Sequence, residues 1–126
     1  MQIALYANII RDENVFRLIV HEAVREEILS LPSGVQAKLI RQLDKLRSNP
    51  TALREPDSKP LPEGLFEIRT VGIIHSRGIY VYQREKTLFL LRVFIKKTQK
   101  TPSAEIRLAL KRQQEMLDEQ ENYRLG

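Results

Sequence analysis

Val93-Phe94-Ile95-Lys96-Lys97-Thr98-Gln99-Lys100-Thr101-Pro102 is the stretch on which the reading of this chain turns. It leaves an apolar run, Leu88 to Ile95, passes through three lysines and stops at a Thr-Pro pair. A run with almost no polar side chain, bounded by polar segments, predicts a strand buried on both faces. Thr101 suits the cap of a following helix, where its oxygen accepts from unpaired N–H groups. Pro102 suits the first helical position, where an N–H has no partner anyway. Lys96, Lys97 and Lys100 are then held between a strand end and a helix start. Cations crowded onto one edge predict an anion site, and a phosphate chain fits it best.

Working outward, Leu65–Val71 and Ile73–Gln83 read as strands preceding Thr87–Ile95. Turns at Gly72 and at Arg84-Glu85-Lys86 are short, so the three strands form an antiparallel meander. On the first of them Phe66 and Ile68 point one way and Glu67 and Arg69 the other. Thr51–Gly64, with Pro56, Pro60 and Pro62, reads as a loop. Phe16–His21 is rich in β-formers and predicts a first strand. Glu22–Leu31 is helical by the spacing of Val24, Ile28 and Leu31. Pro32 and Gly34 break it, and Ser33 reads as the cap of a second helix striped by Val35, Leu39, Leu43 and Leu46, ending near Asn49-Pro50. Pro102 to Glu121 predicts a last helix with Ile106, Ala109, Leu110 and Leu117 on one face. The order β-α-α-β-β-β-α is an α+β fold, an antiparallel meander sheet with helices packed on one face and the other face open. Residues 1–15 read as an N-terminal extension or edge strand, 16–121 as a single domain and 122–126 as a frayed tail.

Composition narrows the function classes. A chain of 126 residues buries roughly two-thirds of its unfolded surface, enough for one cored domain. No apolar run approaches the roughly 20 residues of a membrane span. Met1-Gln2-Ile3-Ala4-Leu5-Tyr6 lacks a basic leader and a small-residue cleavage site, and there is no cysteine, which together predict a cytoplasmic protein without disulfides. With only His21 and His75, a histidine-rich metal site is not expected, and no cofactor motif is present. The net charge of +5 is unevenly spread: seven basic residues from Arg92 to Arg112 face one acid, Glu105, and from Glu115 onward acids dominate. That asymmetry fits a polyanionic partner, and equally a solvated charged face.

The leading candidates for chemistry are Arg69, Arg77, Tyr80, Lys96 and Lys97. Arg54, Lys59, His75, Tyr82, Arg92 and Lys100 form a second, RNA-binding rank. A meander brings Arg69, Arg77, Lys96 and Lys97 within side-chain reach on one surface, where arginine grips a phosphate bidentately and lysine supplies a point charge. Metal-free RNA cleavage needs the 2′-OH deprotonated, the phosphorane charge stabilised and the leaving 5′-oxygen protonated. Crowding lowers a lysine's pKa, a tyrosine stacks on a base or donates a proton, and histidine is the residue type suited to acid–base work near neutrality. Each has a structural reading beside the chemical one. Arg69 pairs with Glu67 or Glu63, Arg77 ties the sheet to the last helix, and Tyr80 and Tyr82 are core residues with wet hydroxyls.

Phe94 to Pro102, with Gly64-Leu65-Phe66-Glu67-Ile68-Arg69 and Arg77-Gly78-Ile79-Tyr80 before it in order, resembles the phage-derived, HigB-type branch of the RelE/ParE toxins over residues 16–117. The resemblance implies the toxin of a type II toxin–antitoxin system: a metal-independent endoribonuclease that cuts mRNA in the ribosomal A site through a 2′,3′-cyclic phosphate. It places Arg77 on the scissile phosphate, with Arg69, Lys96 and Lys97 completing the site. It also implies a HigA-like helix-turn-helix antitoxin as partner, which alone would contact operator DNA. The chain departs from the branch at Arg92, where histidine is common, and at Ser76, where an aromatic is usual. It shows no match to a tyrosine some members carry early in the last helix. A phosphate site is therefore implied without an identified acid and base. Two other functions share the pattern: a ParE-like, non-enzymatic DNA gyrase poison, which would be expected to lose the basic residues of the sheet, and a non-toxic basic nucleic-acid-binding module.

Overall fold

The computed structural model describes residues 15–51, 53 and 56–125, the last four by backbone alone. Five strands, β1 (Arg17–Val20), β2 (Ser58–Pro60), β3 (Phe66–Thr70), β4 (Ser76–Gln83) and β5 (Thr87–Ile95), form one sheet in the order β1-β5-β4-β3-β2. Three helices accompany it, α1 (Glu22–Leu29), α2 (Ser33–Ser48) and α3 (Ser103–Leu125). The class is α+β, and β3, β4 and β5 pair antiparallel as the meander predicts. β1 lies parallel to β5, from Arg17 opposite Thr87 to Val20 opposite Leu90.

Helices cover both faces of the sheet, not one. Strand side chains alternate, and here both sets are apolar. Ile68, Tyr80, Leu88 and Leu90 pack with Val24, Ile28, Leu39 and Leu43 of α1 and α2. Ile79, Val81, Phe89 and Leu91 pack with Ala109 and Met116 of α3. A strand buried on both faces requires two covers, and the expectation of an open face conflicts with the reading of Leu88–Ile95. Gly78 leaves no room for a side chain: a Cβ there would come within 2.9 Å of Ile68 Cγ2.

Smaller departures have local causes. Ser58–Pro60, expected as loop, is a short edge strand, where Pro60 needs no ladder N–H. Ser33 is the first helical residue behind Pro32, with no side-chain cap, whereas His21 Nδ1 accepts from the Ala23 N–H and caps α1. Thr101 does not cap α3 either. The Pro102 carbonyl takes the N–H groups of Glu105 and Ile106, and the Thr101 hydroxyl is engaged elsewhere. The backbone of α3 continues past Glu121 to Leu125. The N-terminal extension, apart from Val15, lies outside the described residues.

β1 accompanies β5 only as far as Leu90, so the edge of β5 beyond that point needs other partners. Glu27 of α1 accepts the Val93 N–H at 3.0 Å, and Arg112 of α3 donates to the Leu91 carbonyl at 3.0 Å. Arg92 bridges Glu27 at 2.7 Å and Glu105 at 2.9 Å, and Arg112 reaches Glu27 at 2.8 Å. Unpaired strand edges invite non-native association, and this ionic clasp closes one while joining α1, β5 and α3. Burial alone would push the Glu27 carboxyl up. The hydrogen bonds from Arg112 and Val93 and the charges of Arg92 and Arg112 outweigh it and hold the carboxyl below its usual range. A lowered folded-state pKa contributes stability that is present above the unfolded value and lost as pH falls through the folded one. Glu27→Gln should therefore lower stability at pH 7 by about 1–2 kcal/mol. In urea unfolding at a series of pH values, the gap to the parent protein should narrow below the ordinary carboxylate pKa.

Candidate functional site

Three sheet ends meet where the β3–β4 loop faces the segment that leaves β5. Arg69 is opposite Arg77, and Arg77 is opposite Phe94. The Lys96 N–H donates to the His75 carbonyl at 2.9 Å and carries the pairing one step past β5. From the other side α2 fixes the end of β3: Gln42 Nε2 donates to the Arg69 carbonyl and Lys38 Nζ to the Val71 carbonyl, each at 3.1 Å.

Beneath this end lies a buried carboxylate. Glu67 is wholly inaccessible. Arg69 Nε donates to its Oε1 at 2.6 Å, Arg77 Nε stands 3.4 Å from the same oxygen, and the Thr101 hydroxyl donates to Oε2. Arg77, 2% exposed, donates through Nη1 to Thr101 Oγ1 at 3.2 Å and through Nη2 to the Gln99 carbonyl at 2.6 Å. The segment from Lys96 to Pro102 is thus a strap, fastened by Thr101 and Gln99 to a buried acid–base pair. The strap's inner groups face that pair, and Lys97, Thr98, Gln99 and Lys100 are exposed along it. Removing Glu67 leaves the Arg77 charge uncompensated in the interior, whereas removing Arg77 leaves Glu67 still paired with Arg69.

Two adjoining hollows open beside the strap. The smaller, of about 160 Å³, is lined by Arg69, His75, Arg77, Lys96 and Gln99, among others. The larger, an open groove of about 580 Å³, has Ile73, Ile74, His75, Ile95, Lys96 and Lys97 on its walls. His75, Lys96 and Gln99 belong to both. Of the leading candidates, Arg69, Arg77, Lys96 and Lys97 therefore come together, joined by His75 from the second rank. Gln99 was not singled out from the sequence. Its backbone carbonyl carries the contact to Arg77, and no residue pattern marks that.

Other candidates lie elsewhere. Tyr80 is in the core beneath α1 and α2, where its hydroxyl shares a 2.8 Å hydrogen bond with Ser58. Burial pushes it up to about 12, the Ser58 hydrogen bond offsetting part of the rise and Tyr82 adding to it. It lines neither of the two hollows and stays protonated near neutrality. Tyr82 stacks edge-on against Phe16, Phe66 and Tyr80 on that same face, and burial raises it too, less the effect of its hydrogen bond with Tyr80. Aromatic partners on neighbouring strands claim both tyrosines for packing. Arg92 belongs to the ionic clasp. Burial would lower its pKa, but Glu105 and Glu27 raise it overall. Lys59 sits on the edge strand opposite Glu67 and lines neither hollow. Lys100 is exposed on the strap. Arg54 lies outside the described residues. Among the described residues no group of three acids or histidines is placed to hold a metal ion.

The arrangement of strands and helices is shared with solved toxins. One is a double arginine-to-alanine mutant of the E. coli toxin RelE in the free state, with a TM-score of 0.59 and 22% identity over 78% of this chain and 97% of that one. Another is the toxin–antitoxin complex RelBE2 from Mycobacterium tuberculosis, with a TM-score of 0.52 and 22% identity over 65% and 99%. At that identity the likeness speaks for a RelE-like fold. No curated protein matches the sequence. Residues 26–114 match the family of phage-derived Gp49-like proteins, and this chain belongs to that family. The resemblance to a phage-derived family, drawn above from Phe94–Pro102 and the strands before it, is borne out by the family match, and the fold it implies by the likeness to RelE.

The strap's fastening makes a graded prediction. Glu67→Gln should cost about 3–5 kcal/mol, because Arg77 stays buried without its counter-charge. Thr101→Val should cost about 1–3 kcal/mol, for lost hydrogen bonds alone. Lys97→Ala, at the surface, should stay within about 0.5 kcal/mol of the parent. Urea unfolding at pH 7 reads all three, and a cost for Lys97→Ala matching that for Thr101→Val would contradict the fastening.

Proposed function

We propose that this protein is the toxin of a type II toxin–antitoxin system and that it cuts mRNA on the ribosome without a metal ion. The observation that carries the reading is the meeting of Arg69, His75, Arg77 and Lys96 around one small hollow, with Lys97 on the adjoining groove. In such a cut the 2′-oxygen attacks the neighbouring phosphorus. The bond to the 5′-oxygen breaks, a 2′,3′-cyclic phosphate forms, and a proton passes from the 2′-OH to a base while another is delivered to the leaving oxygen. Lys96 and the outward part of Arg69 supply positive charge for the phosphorane oxygens. His75 is of the residue type that both accepts and gives protons near neutrality.

Arg77 has a different part from the one the resemblance implies. Its guanidinium is committed to Glu67, Thr101 and Gln99, so it acts as a positioning residue that holds the strap and hence Lys96 and Lys97 in place. The partner we assign is a small helix-turn-helix antitoxin of the HigA type, encoded beside the toxin and responsible for any contact with operator DNA. The RelBE2 complex, a toxin with its antitoxin, supports that partnership.

Induction in growing cells tests the reading. Rapid translation arrest with mRNA cut at codon boundaries is expected. Lys96→Ala, His75→Ala and Arg69→Ala should each slow cleavage by roughly 10²-fold or more while the protein remains folded. A DNA-damage response with intact mRNA would point instead to gyrase, and unimpaired growth to a non-toxic nucleic-acid-binding module.

A further inference from the structure

The larger groove carries an observation that phosphate chemistry does not use. One wall is aliphatic: Ile73 is fully exposed, Ile74 is 38% exposed and Ile95 is 37% exposed. Val71, 56% exposed, borders the smaller hollow. Exposed apolar side chains gathered in one place mark a surface that something covers. The opposite wall is Lys96 and Lys97, and among the described residues no acid lines either hollow. The occupant is therefore anionic and also presents an apolar face. The loop bearing Ile73 and Ile74 is not loose, since Lys38 holds its start at the Val71 carbonyl and the Lys96 N–H holds its end at His75.

We propose that this groove is a nucleobase subsite for single-stranded RNA. The base flanking the phosphate bound at Arg69, His75 and Lys96 lies flat on the Ile73–Ile74–Ile95 shelf, and Lys97 meets the next phosphate. This deepens the reading of the site given above and rests on it. The two hollows share His75, Lys96 and Gln99, so a phosphate in the smaller and its base in the larger belong to one nucleotide unit. An aliphatic shelf offers contact area to a base face and no donor or acceptor to its edge. The subsite therefore takes any base, purines more tightly than pyrimidines because they cover more of it. Single-stranded RNA is the form whose bases are free to splay onto such a surface.

The test is binding of the full chain to short single-stranded RNAs, made uncleavable by 2′-deoxy substitution at the scissile position and carrying either a base or an abasic site at the flanking position. The base-bearing RNA should bind roughly fivefold or more tightly than the abasic one. Ile73→Ser with Ile74→Ser should abolish that difference and leave abasic binding unchanged. Leu29→Ser, an exposed apolar residue on α1, should alter neither. Lys97→Ala should weaken both RNAs and reduce the slope of log affinity against log salt by about 0.7. Equal binding of the two RNAs by the parent protein overturns the subsite. So does equal weakening of both by the isoleucine variants, or displacement of the RNA by an acidic amphipathic peptide that binds more tightly. If the shelf discriminates as described but induction cuts no mRNA, the subsite stands and the nuclease reading falls. If mRNA is cut and the shelf is indifferent, the nuclease reading stands and the subsite falls.

Discussion

Everything at the basic end of the sheet depends on one buried ion pair. Glu67 and Arg77 lie on adjacent strands on the α3 side of the sheet, and both are withdrawn from water. An isolated charge in that position would be prohibitively unfavourable. Their mutual attraction and the hydrogen bonds from Arg69 and Thr101 and to Gln99 make the position tenable. The consequence reaches further than stability. Because the strap's inner groups complete the pair, the strap has one place to lie, and its lysines face outward beside Arg69 and His75. A surface of repelling cations is thus held together by an acid that no ligand touches.

The same logic of shared partners shapes the rest of the domain. β1 leaves half of the β5 edge uncovered, and side chains from α1 and α3 complete it. The bulge between Ile79 and Tyr80, where Leu91 is the extra residue in β5, falls where that edge changes partners. Bulges re-aim side chains, and beyond this one Arg92 reaches acids on two helices. Arg77, Arg92 and Arg112 are therefore consumed by the architecture and Lys96 and Lys97 are left on the groove, while Arg69 serves both, bound to Glu67 through Nε and lining the smaller hollow.

Much of this was legible in the sequence and some could not be. Hydrophobic spacing located α1, α2, β3 and β5 to within a few residues, because burial of an apolar stripe is what forms them. The spread of Leu88–Ile95 over both faces already implied a second cover, which α3 supplies. The short edge strand at Ser58–Pro60 has no pattern of its own and exists only because β3 offers it a ladder. Of the site, the meeting of Arg69, Arg77, Lys96 and Lys97 followed from strand register, and His75 joins them from the loop before β4. The division of roles among them did not. Arginine in a strand reads alike whether it faces a phosphate or a buried glutamate, and the deciding contacts, to the Gln99 carbonyl and the Thr101 hydroxyl, come from a segment whose path the sequence does not dictate. Tyr80 and Tyr82 misled for a related reason: an aromatic that stacks on a base and one that stacks on Phe66 have the same letter.

The most direct test of the central claim is the side-chain NMR signal of Arg77 in the free protein. A guanidinium locked between Glu67, Thr101 and Gln99 should show resolved Nη resonances, slow rotation about its terminal C–N bond and slow exchange of its protons with water, all unchanged when RNA is added. Averaged, rapidly exchanging signals, or signals that shift on RNA binding as a phosphate contact would, contradict the account and return Arg77 to the substrate.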